Sequence, residues 1–189
     1  MNYICKRDYL SIRRMLNCNE DYSLLAKWLS DPAVLEYYEG KNNPFDLEKV
    51  IKKWGPRVRG EKAVIRCILE YKERAVGYIQ YYRTNSDDYE LKEKINLDTY
   101  KLPFGIDLFI GEIDYWNRGL GTKFIKMFVK YLFDNEKADI ILIDPQTWNK
   151  RAIRCYEKAG FKALGIIKNR ELFDGEYKDN LIMGMLSIN

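Results

Sequence analysis

Histidine is absent from this chain of 189 residues. Its absence excludes every mechanism built on an imidazole base, every Ser-His or Cys-His pair, and the histidine-containing zinc sites. The four cysteines, Cys5, Cys18, Cys67 and Cys155, stand far apart and form no CxxC pair. Isolated buried thiols are therefore expected rather than a zinc or redox motif. No apolar run approaches the roughly 18 residues of a membrane span. The opening MNYICKRDYL carries charges where a secretory signal needs an apolar core, so a soluble, cytoplasmic protein without a membrane partner is expected. Linkers rich in Gly, Ser or Pro, internal repeats and low-complexity segments are also missing, which points to one domain over residues 1–189. A net charge of +4 by itself neither demands nor excludes nucleic acid, and no nucleic-acid partner is expected.

What the chain does contain is ample apolar material, 47% of its residues, with 32% charged. At this length a core buries roughly two thirds of the unfolded surface without disulfides or metal. LSIRRML is a first strand by its pattern. Asn19 is expected to cap a helix through EDYSLLAKWLS, and Asp31-Pro32 opens a second short helix. DLEKVIKKW is a third, expected to stop at Gly55-Pro56. AVIRCILEY and AVGYIQYYR flank the turn KER and predict a hairpin. Residues 84–100 are polar and acidic, expected as a loop or irregular excursion. LPFGIDLFIGE is a strand, followed by a helical period at Phe124, Ile125, Phe128, Val129 and Leu132. ADIILID, FKALGII and NLIMGMLSI are further strands, the last entered through Asp174-Gly175. The helix WNKRAIRCYEKAG lies between the first two and closes at Gly160. This order predicts a mixed α/β or α+β sheet with helices on both faces.

The most informative stretch is IDLFIGEIDYWNRGLGTKFIKMFVKYLF. A strand ends, a loop with Gly119 and Gly121 follows, and an amphipathic helix begins. Free N–H groups at the helix start converge on one place, reinforced by the helix dipole, and the glycines allow close approach of a ligand. A pyrophosphate suits such a site. The loop is neither a P-loop, since GK[ST] is missing at the required spacing, nor a dinucleotide fingerprint of the GxGxxG type. Asp107 lies mid-strand among apolar neighbours, where a charge is expensive unless used or paired.

Further along, Asn149, Ala152, Tyr156, Gly160 and Phe161 stand in the frame NKRAIRCYEKAGF. The two motifs in this order, from about Ile106 to Leu164, resemble the GCN5-related N-acetyltransferase (GNAT) superfamily. That superfamily pairs an RxxGxG-type or QxxGxG-type pyrophosphate loop with a helix reading NxxAxxxYxxxGF. One departure is visible: the first loop position, usually Gln or Arg, is Trp116. GID-FIGE-YWNRGLGT, the early segment KWLSDPAVLEYYEG and the strand end VGYIQYY resemble more narrowly the aminoglycoside 6'-N-acetyltransferases. A related branch that acylates siderophore precursors shares much of the pattern.

The resemblance implies a central, mostly antiparallel sheet with a splayed parallel strand pair at the CoA site. It implies acetyl-CoA as cosubstrate, no metal, and a polycationic aminoglycoside as the small-molecule partner of a monomer or homodimer. Other amine acceptors (a polyamine, a protein N-terminus, a siderophore precursor) and a non-catalytic CoA-binding module remain alternatives. Acetyl-CoA contacts are implied for Arg118, Gly119, Leu120, Gly121, Thr122, Asn149 and Ala152. The implied oxyanion donor is a backbone N–H near Ile110, where such strands commonly bulge. Asp107 is the implied amine-handling carboxylate, and Tyr156 the acid near the CoA sulfur. Asp144, at the end of its strand, and Glu112 would meet ammonium groups; Tyr82 and Trp28 would supply flat walls for sugar rings. Acidic residues cluster between 84 and 115 (Asp87, Asp88, Glu90, Glu93, Asp98, Asp107, Glu112, Asp114), and basic ones on the following helices (Arg118, Lys123, Lys126, Lys130, Lys150, Arg151, Arg154). This division fits an acidic wall for a polycation beside a basic wall for CoA phosphates.

Overall fold

The computed structural model of the chain describes residues 2–84 and 89–187. Two hairpins open the sheet. β1 (Tyr3–Arg7) and β2 (Leu10–Arg14) form a short one, and β3 (Val64–Tyr71) and β4 (Arg74–Arg83) a long one. The long hairpin turns through Lys72 and Glu73, both at positive φ, the two-residue turn that matches strand twist. Between the hairpins lie α1 (Asn19–Trp28), α2 (Pro32–Leu35) and α3 (Leu47–Val58). α4 (Tyr89–Lys92) precedes β5 (Pro103–Ile110), and α5 (Leu120–Asp134) leads to β6 (Ile140–Ile143). α6 (Lys150–Ala159), β7 (Lys162–Phe173) and β8 (Glu176–Leu186) complete the order. The strands form one sheet, β1-β2-β3-β4-β5-β6-β8-β7, antiparallel except at β5–β6.

Helices pack on both faces, as the sequence order implies. Ile106, Phe124, Phe128, Ile141 and Met183 share one core with α5 and α6. Trp28, Trp54, Ile68, Tyr78 and Phe109 share the other, with α1–α3. A buried ion-pair network ties α1 to the sheet: Arg13 donates to both oxygens of Asp21 at 2.7 Å and to Glu70 at 2.7 Å.

Several local expectations need correction. Asn19 does not cap α1; Cys18 holds the cap position and makes no side-chain cap bond. The helix entry is fixed instead by Asp21, whose carboxylate also accepts the Leu16 N–H at 2.7 Å. α3 does not stop at Gly55-Pro56 but runs on to Val58. The residue before proline avoids the helical region because its Cβ meets the ring, and glycine has none. β1, unmarked by its charged sequence, pairs with β2. The 84–100 excursion contains α4 and a 3-10 turn at Leu97–Thr99; Leu91 and Leu97 bury against Ile140, Leu142, Ile167 and Ile182. Asp87 and Asp88 lie outside the described residues. β7 continues to Phe173, well past the apolar FKALGII segment, and turns at Asp174-Gly175 into β8. The Asp174 carboxylate accepts the N–H groups of Lys41 and Asn42 at 2.9 and 2.8 Å, docking the hairpin tip against the loop after α2.

The parallel register covers Pro103↔Ile140, Phe104↔Ile141 and Gly105↔Leu142, and ends there. β5 runs on for five more residues while β6 is nearly over. The Thr84 N–H bonds the Pro103 carbonyl, and Asp107 and Phe109 lie opposite Gln80 and Tyr78. Odd-numbered β5 residues therefore bond to β4. By alternation, the N–H groups of Leu108 and Ile110 point into the gap that β6 leaves.

Candidate active site

Two clefts meet at this splayed gap. The first, about 440 Å³, runs from the β5 edge past the start of α5 to α6. Gly119, Leu120, Gly121 and Thr122 line it, with Asn149, Ala152 and Tyr156 across from them. Gly119 is the N-cap of α5 at φ +72°, a left-handed conformation that favours glycine, and a Cβ there would meet nothing within 4 Å. The backbone of the first turn is thus open toward the cleft, its N–H groups unclaimed within the helix. That geometry fits a phosphate-bearing ligand, and Arg151, Arg154 and Lys158 add positive charge to the same cleft.

Asn149 caps α6, its Oδ1 accepting the Ala152 N–H at 3.1 Å, and it faces the cleft as well. The Arg118 side chain does not line the cleft; its guanidinium lies over the Tyr115 ring at 5.6 Å. Trp116 takes a different task from the Gln or Arg of the motif. Its Nε1 donates to the Ile110 carbonyl at 2.7 Å, and its ring carries the Arg151 guanidinium at 3.9 Å. The expected bulge falls one residue beyond Ile110: the Val76 carbonyl accepts both the Gly111 and Glu112 N–H groups, at 2.9 and 3.1 Å.

The second cleft, about 530 Å³, opens on the other side of the gap and is lined by carboxylates: Glu39, Glu90, Asp107, Asp144 and Glu171. Tyr82 and Trp148 give it aromatic surface. Leu108, Phe109, Asn149, Ala152 and Tyr156 line both clefts, so the two are continuous at the β5 edge and the start of α6. Tyr156 stands at this junction, and Asp107, next to Leu108 in β5, lines the second cleft beside it.

Asp107 accepts a hydrogen bond from Gln80 Nε2 at 2.6 Å. Burial, and next the charge of Asp144, push its carboxyl up to about 7, against the lowering effects of Gln80 and Arg66. The Asp144 carboxyl is also raised, first by burial, with Arg170 opposing the rise. Arg170 Nε approaches Asp144 at 3.3 Å and its Nη1 approaches Glu90 at 3.2 Å, so Asp144 already has a cationic neighbour. Burial keeps the Tyr156 hydroxyl protonated well above the ordinary tyrosine range.

Trp28 and Glu112 are not brought to this cleft. Trp28 is 1% exposed in the α1–α3 core, and its Nε1 donates to Glu112 at 2.8 Å. Lys27 satisfies the same Glu112 oxygen, so this carboxylate pins α1 to the end of β5. Asp114 and Glu93 are likewise outside the second cleft. Sequence reasoning missed Glu39, Gln80 and Glu171. Gln80 carried a signal, a lone amide in the aromatic strand AVGYIQYYR directly opposite Asp107 in the register. Glu171 sits in the polar part of β7 that no apolar alternation marks, held by Gln146 Nε2 at 2.8 Å.

Residues 17–168 match the family model described as acetyltransferase (GNAT) domain. The chain belongs to the GNAT acetyltransferase family. It is 30% identical over 158 residues to aminoglycoside N(6')-acetyltransferase type 1 of Klebsiella pneumoniae, covering 83% of this chain and 77% of that protein. Among solved structures, this GNAT protein superposes on aminoglycoside acetyltransferase AAC(6')-Ib in complex with coenzyme A and kanamycin. The TM-score is 0.75 at 26% identity, covering 94% of both chains. The acetyl-CoA complex of AAC(6')-Ib gives a TM-score of 0.77 at 26% identity, over 95% of this chain and 94% of the other. The expected mostly antiparallel sheet with a parallel pair at the first cleft is the fold observed. No helix among the described residues is long and apolar enough to cross a membrane.

Proposed function

We propose that this GNAT protein transfers the acetyl group of acetyl-CoA to the 6'-amino group of an aminoglycoside, by direct attack in a ternary complex. The observation that carries this reading is the junction, at Tyr156, of a basic, glycine-lined cleft with an acidic one that Asp107 lines. The two sides have the charges that a polycationic acceptor and a polyanionic donor need.

The first-turn N–H groups of Gly119, Leu120 and Gly121 hold the pyrophosphate, and Asn149 and Ala152 border the pantetheine arm. The Ile110 N–H faces the gap and donates to the thioester oxygen as it gains charge. Asp107 attracts the ammonium form of the acceptor. One proton leaves to solvent to free the nitrogen lone pair, and Asp107 takes the second as the C–N bond forms and the nitrogen becomes acidic. Because its carboxyl sits near neutrality, Asp107 is poised to accept a proton at working pH. Tyr156, protonated throughout, donates to the departing thiolate. Asp144 and Glu171 hold further ammonium groups, and Tyr82 packs against the sugar. No covalent enzyme intermediate is required.

The test is thiol release from acetyl-CoA with an aminoglycoside bearing a 6'-amine and with its 6'-hydroxyl analogue. Rapid release with the first and background release with the second is expected. Equal rates with both, or release only with polyamines, would overturn the assignment.

A further inference from the structure

Behind Asp107 runs a row of polar side chains across three adjacent strands. Arg66 on β3 lies opposite Gln80 on β4, and Gln80 lies opposite Asp107 on β5. Tyr78, two residues before Gln80, points to the same face. Arg66 Nη1 donates to the Tyr78 hydroxyl, Tyr78 donates to Gln80 Oε1 at 2.8 Å, and Gln80 Nε2 donates to Asp107 Oδ2 at 2.6 Å.

The direction of this chain is dictated by its far end. A guanidinium only donates, so the Tyr78 oxygen accepts from Arg66 and its single hydrogen is left for Gln80. The Gln80 amide is thereby fixed with its oxygen toward Tyr78 and its NH2 toward Asp107. A flipped amide would set oxygen against carboxylate. Arg66 is 6% exposed and makes no salt bridge among the described residues; its guanidinium sits over the Trp54 and Tyr78 rings at 5.2 and 5.7 Å. A buried cation without a carboxylate is costly to fold around, and an apolar residue would pack there more cheaply. It touches a hydroxyl and rings, while the charge of Arg57 on α3 opposes it and the Asp107 carboxylate acts on it from beyond Gln80.

We propose that Arg66 and Tyr78 are positioning residues that, through Gln80, hold the Asp107 carboxylate in the orientation that meets the acceptor amine. The proposal rests on the reading of Asp107 given above. The other titratable groups acting on Asp107 are Asp144 after β6, Glu171 on β7, Tyr38 after α2 and Tyr156 on α6. Glu39, Lys53 and Arg57 line the same cleft as Asp107, Gln80 and Arg66 from the α2–α3 side. Among the described residues none of them hydrogen-bonds Gln80, so removing the Tyr78 hydroxyl breaks the row and leaves their own hydrogen bonds in place.

Tyr78→Phe keeps the ring against Phe109 and deletes only the hydroxyl. Loss of alignment at a reacting group can cost up to about 100-fold, and a drop in kcat of about tenfold is expected, with acetyl-CoA affinity unchanged. The acid limb of the pH profile should move upward, because Asp107 loses a fixed donor to its charged form. The deciding readout is a double-mutant cycle. If Tyr78 acts through Asp107, Tyr78→Phe costs less than about twofold in an Asp107→Asn background. Independent, multiplying losses in the cycle, or an unchanged kcat and pH limb in the single variant, would overturn the proposal. Arg66→Met should reproduce the Tyr78→Phe loss and Arg66→Lys should recover part of it, which keeps the proposal testable if one variant folds poorly. An Asp107→Asn variant with wild-type kcat would instead remove the reading of Asp107 itself, and so is distinguishable from failure of the row.

Discussion

Asp107 is set apart from the other carboxylates of the acidic cleft by its neighbours. Glu39 pairs with Lys53, and Asp144 and Glu90 share Arg170, whereas Asp107, like Glu171, is bonded to a neutral amide. Of these two, Asp107 is the one that stands beside the cleft junction at Tyr156, its carboxyl raised by burial. Its raised carboxyl has two consequences. For catalysis the ionised form is the working one, so kcat/KM should fall as pH drops through about 7. Asp107→Asn should remove that limb and lower kcat by about 10²–10⁴-fold, while acetyl-CoA affinity stays near normal. For stability the sign runs the other way. A carboxyl near 7 in the fold and 3.8 ordinarily means that folding takes up a proton between those values, so stability falls as pH rises across that window. Asp107→Asn should therefore raise Tm at pH 8, by about 2–4 °C for each kcal/mol of relieved desolvation, and leave it unchanged below about pH 4. Thermal melts at the two pH values check this; a variant less stable than wild type at pH 8 would refute it.

At the scale of elements, the turn from β5 into α5 carries two separate demands. Gly119 supplies the left-handed N-cap, while Gly121 lies against α6, where an added Cβ would come 3.2 Å from Cys155 Sγ. Gly121→Val thus threatens both the phosphate approach and the packing of α5 on α6. Pairing it with Cys155→Ala separates the two: helix packing should recover, as melting would show, while acetyl-CoA affinity stays more than about tenfold weaker. Recovered affinity in the pair would assign Gly121 to packing alone. This turn and the α6 frame were legible in the sequence because glycine spacing and the NxxAxxxYxxxGF pattern are local. The end of β7 was not, because Lys168–Phe173 lacks apolar alternation and is held by tertiary contacts such as the Asp174 cap on Lys41 and Asn42. Trp28 misled for a related reason: an aromatic residue on an amphipathic helix looks the same whether it faces a ligand or the core, and here it is core.

Across the whole molecule, charge is sorted by cleft rather than by segment. Of the acidic wall expected from residues 84–115, Glu90 and Asp107 line the cleft, and Glu39, Asp144 and Glu171 join them from distant stretches. The sheet order β5-β6-β8-β7 brings Asp107, Asp144 and Glu171 together, and the segments at α2 and α4 add Glu39 and Glu90. No linear reading could have placed Glu39 and Glu171 on one cleft. Since exposed charges more than about 10 Å apart are screened at 0.1 M salt, aminoglycoside KM should rise with ionic strength. A KM flat from low to high salt would indicate a neutral acceptor. The central claim is that the two clefts deliver one acetyl group to one nitrogen beside Asp107. The most direct measurement is the NMR assignment of the acetylated aminoglycoside after turnover with acetyl-CoA. A single acetamide at the 6' position is the predicted result; acetylation at any other amine, or a mixture of positions, would contradict it.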